Sequence, residues 1–258
     1  MKSAWAGMLA LMAPLAGCGV SGDVSRGADG QDGVSVVVSG QETQSGDVRT
    51  EQRSVDLQGA ESAVVDIEMG AGQLELSGGV EQGQLLDATF VYSEPEWRPE
   101  VDYQVEGTQG RLEIRQGDAG FNRSRMDERN EWTLRLSQGI PMDLRLGMGA
   151  GLSQLDLRGL DLGTLDLSKG AGQMRIDLSG DRPHDVTAAI EAGAGQISLT
   201  LPEAIGVRVE VRSVVGVINA PGFTRNGDIY TNAAFGTSPV TMEVTVRIGA
   251  GILSLELV

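Results

Sequence analysis

The sequence predicts an all-β fold, a single β-solenoid of short repeated strands with glycine-rich turns, preceded by a signal peptide and a disordered linker. The first observation behind this is repetition. A glycine pair followed by an alternating strand stands at Met69-Gly70-Ala71-Gly72-Gln73-Leu74. It returns at Met148-Gly149-Ala150-Gly151, Lys169-Gly170-Ala171-Gly172, Ala192-Gly193-Ala194-Gly195 and Ile248-Gly249-Ala250-Gly251, with a worn copy at Val214-Val215-Gly216. Such repetition marks a stacked architecture, because each unit buries its apolar face only against its neighbours. The second observation is period. Leu155 and Leu157 flank Asp156, and Ile176 and Leu178 flank Asp177, the alternation of a strand with one buried face. The third is spacing. Cassettes that open at Gly149, Gly170 and Gly193 leave roughly 20 residues per unit. At about 3.3 Å per residue that holds two or three short strands with turns, and is too little for strand, helix and strand.

Residues 1–17 are expected to be a lipoprotein signal peptide. Met1-Lys2 precedes an apolar stretch from Ala4 to Ala16, which is shorter than the roughly 20 residues a membrane-spanning helix needs. Leu15-Ala16-Gly17-Cys18 resembles the bacterial lipobox, the signal at which such leaders are cut and the cysteine acylated. The resemblance implies lipidation at Cys18 and a membrane as partner through that anchor. More than one acyl chain, at about 0.8 kcal/mol per buried CH₂, gives stable anchoring. Cys18 is the only cysteine, so no internal disulfide is expected. From Cys18 to residue 50 the composition of Gly, Ser, Asp, Gln and Val is that of a flexible tether. Gly27-Ala28-Asp29-Gly30-Gln31-Asp32-Gly33 has neither the many Pro-bearing triplets of a collagen helix nor the closing Glu of a calcium loop.

Residues 51–180 are read as the amino-terminal part of the solenoid and 181–258 as its carboxy-terminal continuation. Strands are expected from about Ser54, then at Leu85–Tyr92, Val101–Glu106, Arg111–Arg115 and Trp132–Leu136. Pro95 and Pro99 forbid a central strand between them and present Trp97 at a loop or edge, as a contact residue or as a plug for the end of the stack. Arg123, Arg125 and Arg129 fall in a polar stretch read as a solvated loop able to receive an acidic partner. Leu155-Asp156-Leu157, Leu160-Asp161-Leu162 and Leu165-Asp166-Leu167 read as two neighbouring strands and their link. Asp156, Asp166 and Asp177 could stack into a row of carboxylates on one face. Asn226-Gly227 between short extended runs is a hairpin signal. An insertion into a solenoid emerges on one face, and such faces often bind. Phe223, Arg225, Tyr230 and Phe235 are the candidate contact residues there, with packing over the last rung as the alternative.

The composition limits the chemistry. Glycine, at 37 of 258 residues, has about twice its usual share, while aromatics make up 4%, so the core is aliphatic. Lys plus Arg total 20 against 36 Asp plus Glu, a net charge of −16 that disfavours nucleic acid as a partner. The Gly-Ala-Gly pairs are followed by strands, whereas phosphate cradles need a helix there. His184 is the only histidine, so a zinc site with several His ligands is out of reach. No Gly-x-Ser-x-Gly elbow precedes a helix. No catalytic residue, metal or cofactor is expected, and the chain reads as non-enzymatic.

The order of these pieces resembles the bacterial toast-rack proteins. The likeness runs from Met69-Gly70-Ala71-Gly72 through Pro95-Glu96-Trp97-Arg98-Pro99-Glu100 and Trp132-Thr133-Leu134-Arg135-Leu136 to the cassettes and Val258. In that family an amino-terminal toast-rack region precedes a carboxy-terminal domain shared with membrane regulators of the cell-wall-antibiotic response. The matching part here starts at Gly193-Ala194-Gly195-Gln196-Ile197. The resemblance implies a lipid-anchored interaction or scaffold module of the cell envelope, with an envelope protein as partner and a role in envelope stress. The alternative is an adhesin-like surface protein that binds polysaccharide or other cells.

Overall fold

A computed structural model of the chain describes residues 34–35, 39–45, 48–117 and 129–258. The expected signal peptide, Cys18, Arg123 and Arg125 lie outside the described residues. Six strands carry the cassettes: β4 (Ser62–Gly78), β9 (Met142–Asp156), β10 (Leu162–Asp177), β11 (Val186–Leu201), β12 (Gly206–Asn219) and β15 (Thr241–Leu257). They pair in parallel and in register, cassette on cassette: Gly72 beside Gly151, Gly172, Gly195, Gly251 and Gly216. Among the described residues the helical content is one 3₁₀ turn at Pro95–Trp97.

The connections show how a rung is shaped. β9 and β10 pair from end to end, Met142 with Leu162 and Asp156 with Asp177, yet only Leu157–Asp161 join them. A straight strand of 15 residues would be about 50 Å long, while so short a link reaches at most about 20 Å. Each rung must therefore fold back until its ends meet, and it does so at the cassette. In β9 the buried positions are Met142, Leu144, Leu146 and Met148, then Ser153 and Leu155, so the inward parity changes across Gly149–Leu152. The second glycine of each Gly-Ala-Gly cassette has φ between +119° and +150°, a region that favours glycine. A Cβ there would overlap the carbonyl oxygen of the adjoining rung, as at Gly195 against Gly172. The unit is thus two short arms joined by a glycine bend through which the hydrogen-bond ladder continues.

The arms form two facing sheets over one aliphatic core. The first-arm sheet has the order β13 (Thr224–Asn226), β14 (Ile229–Thr231), β12, β15, β11, β10, β9, β4, β7 (Gln109–Gln116), β6 (Pro99–Glu106) and β1 (Val34–Ser35). The second-arm sheet runs β12, β15, β11, β10, β9, β4, β8 (Asn130–Leu136), β5 (Gln84–Tyr92), β3 (Val48–Asp56) and β2 (Ser39–Ser45). Beyond β4 the rung is split: β7 supplies its first arm and β8 its second. Gln116 and Asn130 take over the corner. Gln116 Oε1 accepts from Gly70 N at 2.9 Å, and Asn130 Nδ2 donates to the Ala71 carbonyl oxygen at 2.6 Å. Aromatic residues gather at this end, where Phe90 meets Trp132 edge to face with ring centroids 5.2 Å apart.

Two expectations are corrected. Part of the stretch 18–50 read as tether is strand, namely β1, β2 and the start of β3. The rungs stack out of chain order, with β15 between β11 and β12, a point on which the repeat is silent. The second correction is that the aspartates form no common row. Asp156 and Asp177 are neighbours bridged by Arg158 at 2.7 and 3.4 Å, while Asp166 lies on the other arm, 3.8 Å from Arg145.

Candidate interaction surfaces

The hairpin β13–β14 sits on the outer edge of β12, with Tyr230 opposite Val209 and Arg225 opposite Tyr230. Tyr230 is 5% exposed and belongs to the core. Its ring carries the Arg225 guanidinium 5.4 Å from its centroid, and Arg225 Nε also donates to the Gly227 carbonyl oxygen at 2.8 Å. Phe223 is half-buried against the core, and Phe235 is exposed. Of the four residues the sequence singled out here, Arg225 and Phe235 face solvent while Tyr230 packs. Asn232, buried beneath them, works as an extra piece of ladder. Its Oδ1 accepts from Val207 N at 2.9 Å, and its Nδ2 donates to the Ile205 carbonyl oxygen at 2.7 Å. It is a fastener that sequence reasoning missed, because an asparagine beside a hairpin reads as turn chemistry.

Trp97 lies at the opposite end of the stack. It closes the 3₁₀ turn and is partly buried against the core. The next residue, Arg98, reaches Glu51 through Nε at 3.2 Å. Glu51 is 1% exposed, accepts a hydrogen bond from the Tyr92 hydroxyl at 3.0 Å and also pairs with Arg53. Burial pushes the Tyr92 hydroxyl up and Arg53 down from their ordinary values. The carboxylate thus anchors the turn that carries Trp97, whose ring packs partly against the core at this end of the stack. The structure does not bring Trp97 together with the hairpin.

Two features escaped the sequence. The outer edge of β12 from Ser213 to Asn219 is paired with no strand among the described residues, because β14 covers only Arg208–Glu210. Along it Val215 is 67% and Val217 63% exposed, with Ile252 of β15 beside Val217. These are the positions that earlier rungs fill with Ala194 and Gln196. The second feature is Lys169, which is 6% exposed inside the cassette bend. Its Nζ donates to Ser153 Oγ at 2.8 Å and to the Gln173 carbonyl oxygen at 2.9 Å. Burial holds its pKa down at about 8.

Among the described residues no group of three or more His, Cys, Asp or Glu is placed to hold a metal ion. Both ring nitrogens of His184 are engaged, Nδ1 with the Asp185 carbonyl oxygen and Nε2 with Asp161 Oδ1 at 2.7 Å, and these bonds hold its pKa above the usual value. Arg182 beside it donates to the carbonyl oxygens of Leu157, Leu160 and Leu178, clamping two stacked links.

Comparison with known proteins agrees with this architecture. The profile of the family described as the N-terminal domain of toast_rack matches residues 44–200. A crystal structure of a "putative cell adhesion protein" from Clostridium sporogenes is 35% identical, covers 82% of this chain and 100% of its own, and superposes with a TM-score of 0.79. A "putative adhesin" from Bacteroides fragilis is 11% identical over 81% of this chain and 98% of its own, at a TM-score of 0.29. A "Putative lipid binding protein" from Parabacteroides distasonis is 10% identical over 83% of this chain and 97% of its own, at 0.27. Scores that low establish no common fold. No curated protein matches the chain. The matched residues contain the first four cassettes and both facing arms, and the chain belongs to the toast-rack family.

Proposed function

We propose that this chain is a non-enzymatic surface protein of the cell envelope that works by contact, in the manner of an adhesin, with polysaccharide or another envelope protein as its partner. The observation that carries this reading is the likeness to the Clostridium sporogenes protein, which spans the whole of that chain at 35% identity. The solvent-facing Arg225 and Phe235 at one end and the Trp97 turn at the other are the surfaces it assigns to the partner. Residues 1–17 are the leader in this reading, Cys18 carries the lipid, and residues 181–258 continue the solenoid away from the membrane.

Attachment of whole cells to polysaccharide-coated and protein-coated surfaces tests the role. Deletion of the gene is expected to reduce attachment at least tenfold, restored by the wild-type chain and not by an Arg225→Ala/Phe235→Ala double variant. Unchanged attachment on deletion would exclude the adhesive role. In the same cells Cys18→Ala should move the protein from the membrane fraction to the soluble fraction.

A further inference from the structure

The two ends of the stack are steps of opposite sense. At the carboxy-terminal end the first-arm sheet continues past β12 through β14 and β13, while the second-arm sheet stops at β12. The first arm overhangs by two strands. At the amino-terminal end the first arm continues past β4 through β7 and β6, and among the described residues Val34–Ser35 lie beyond it on Gln104–Val105, while the second continues through β8, β5, β3 and β2. Among the described residues the second arm here overhangs by two strands along Pro99–Tyr103 and by one beside Val34–Ser35. At about 4.8 Å per strand an overhang of two strands is a step roughly 10 Å high.

We propose that the chain associates with further copies of itself head to tail. In the second-arm sheet the part of this ledge beyond the glycine bend, Val217–Asn219 of one copy, pairs with β2 of the next. In the first-arm sheet the β13–β14 hairpin fills the step beside β6 of that next copy. Strand direction fits this at both seams. β2 runs antiparallel to β3, which is antiparallel to β5, which is antiparallel to β8, and β8 is parallel to β4, so β2 opposes the direction of β12. By the same count β6 opposes β13.

Charge favours the same seam. A chain of net charge −16 repels its copies at most orientations, but Ser213–Asn219 holds no ionisable side chain and β2 holds one acid, Glu42, 3.9 Å from Arg98. An edge with Val215 and Val217 this exposed is a template for pairing, and a heterologous contact of this kind makes open chains rather than closed dimers. Trp97, which leads into β6, and Phe223 with Arg225 on the hairpin would meet at one junction. A short ladder alone falls below the roughly 1,200 Å² of a stable interface, so seating of the hairpin is needed and the association is a concentration-dependent equilibrium.

The test uses the full chain and two variants at exposed positions, Val217→Lys on the ledge and Gln41→Lys/Thr43→Lys on β2, each confirmed to be folded by circular dichroism and an unchanged melting temperature. Sedimentation over micromolar to millimolar concentration should show the wild-type mass rising beyond that of a dimer. Each variant alone should stay monomeric, with at least a tenfold weaker association. An equimolar mixture of the two variants should form dimers that grow no further, since each supplies the end that the other lacks. A monomeric wild type, a ledge variant that associates like wild type, or a mixture that stays monomeric would overturn the proposal. So would a β2 variant that dimerises alone, the mark of two ledges pairing about a two-fold axis.

Discussion

Lys169 occupies a position that the two preceding cassette rungs fill with methionine, Met148 and Met69. Its bonds to Ser153 and Gln173 satisfy the ammonium, yet burial penalises the charged form and pulls the pKa down. The folded pKa of about 8 lies below the ordinary 10.5. The destabilisation is therefore complete below pH 8 and is relieved as pH rises toward 10.5. Lys169→Met is expected to stabilise the fold at pH 7 by about 1–3 kcal/mol, with the advantage shrinking between pH 8 and 10.5. Paired urea titrations of wild type and variant across that range check it, and a constant difference would show that burial of the charge is not the cause. None of this was legible in the sequence, where a lysine before Gly170 looks like a surface residue. For Tyr230 the sequence left contact and packing open, since an aromatic in a three-residue strand says nothing about which face is inward, and the structure packs it in the core. Gly195, by contrast, was legible, because the repeat marks positions where no side chain is tolerated.

At the scale of the element, the rung is a strand made to turn a corner without leaving its ladder. A bend of this kind needs positive φ at the second glycine and bare backbone on the face toward the next rung. Gly195→Ala breaks both conditions in the middle of the stack, with rungs on either side. It is expected to cost about 3 kcal/mol or more, in the range reserved for backbone strain and overpacking. Gly59, with positive φ but nothing near a Cβ, is expected to lose only about 1 kcal/mol on the same change. Thermal melts of the two variants check the contrast, and equal losses would mean that stacking adds nothing to conformation. The strands themselves were readable where one face is apolar. β2 and β3 were not, because Ser39–Ser45 is exposed and polar through its described part and lies at the end of a sheet, where no alternation is imposed. The long strands were read as short ones joined by turns, which matches the two arms, since alternation resets at each bend.

For the whole molecule, repeated cassettes imply a pile of rungs, but they do not number the rungs. Alternation tells which face of a strand is buried and is silent on which strand lies beside it. That is why insertion of β15 between β11 and β12 could not be read from the chain, and why the open ledge on β12 went unseen. The position of the ledge decides where other molecules can join the sheet, so rung order is what connects the fold to any contact function. Ala71, Ala194, Ala250 and Val215 are exposed and occupy one row across the stack. Spin labels placed on them in pairs, in a Cys18→Ala background, turn that row into a ruler. Pulsed electron paramagnetic resonance should place Ala71 and Ala250 about 19 Å apart and Ala71 and Val215 about 24 Å apart, one strand spacing of about 4.8 Å further. A longer distance to Ala250 than to Val215, or distances that do not grow with rung number, would contradict the parallel stack and its inserted final strand.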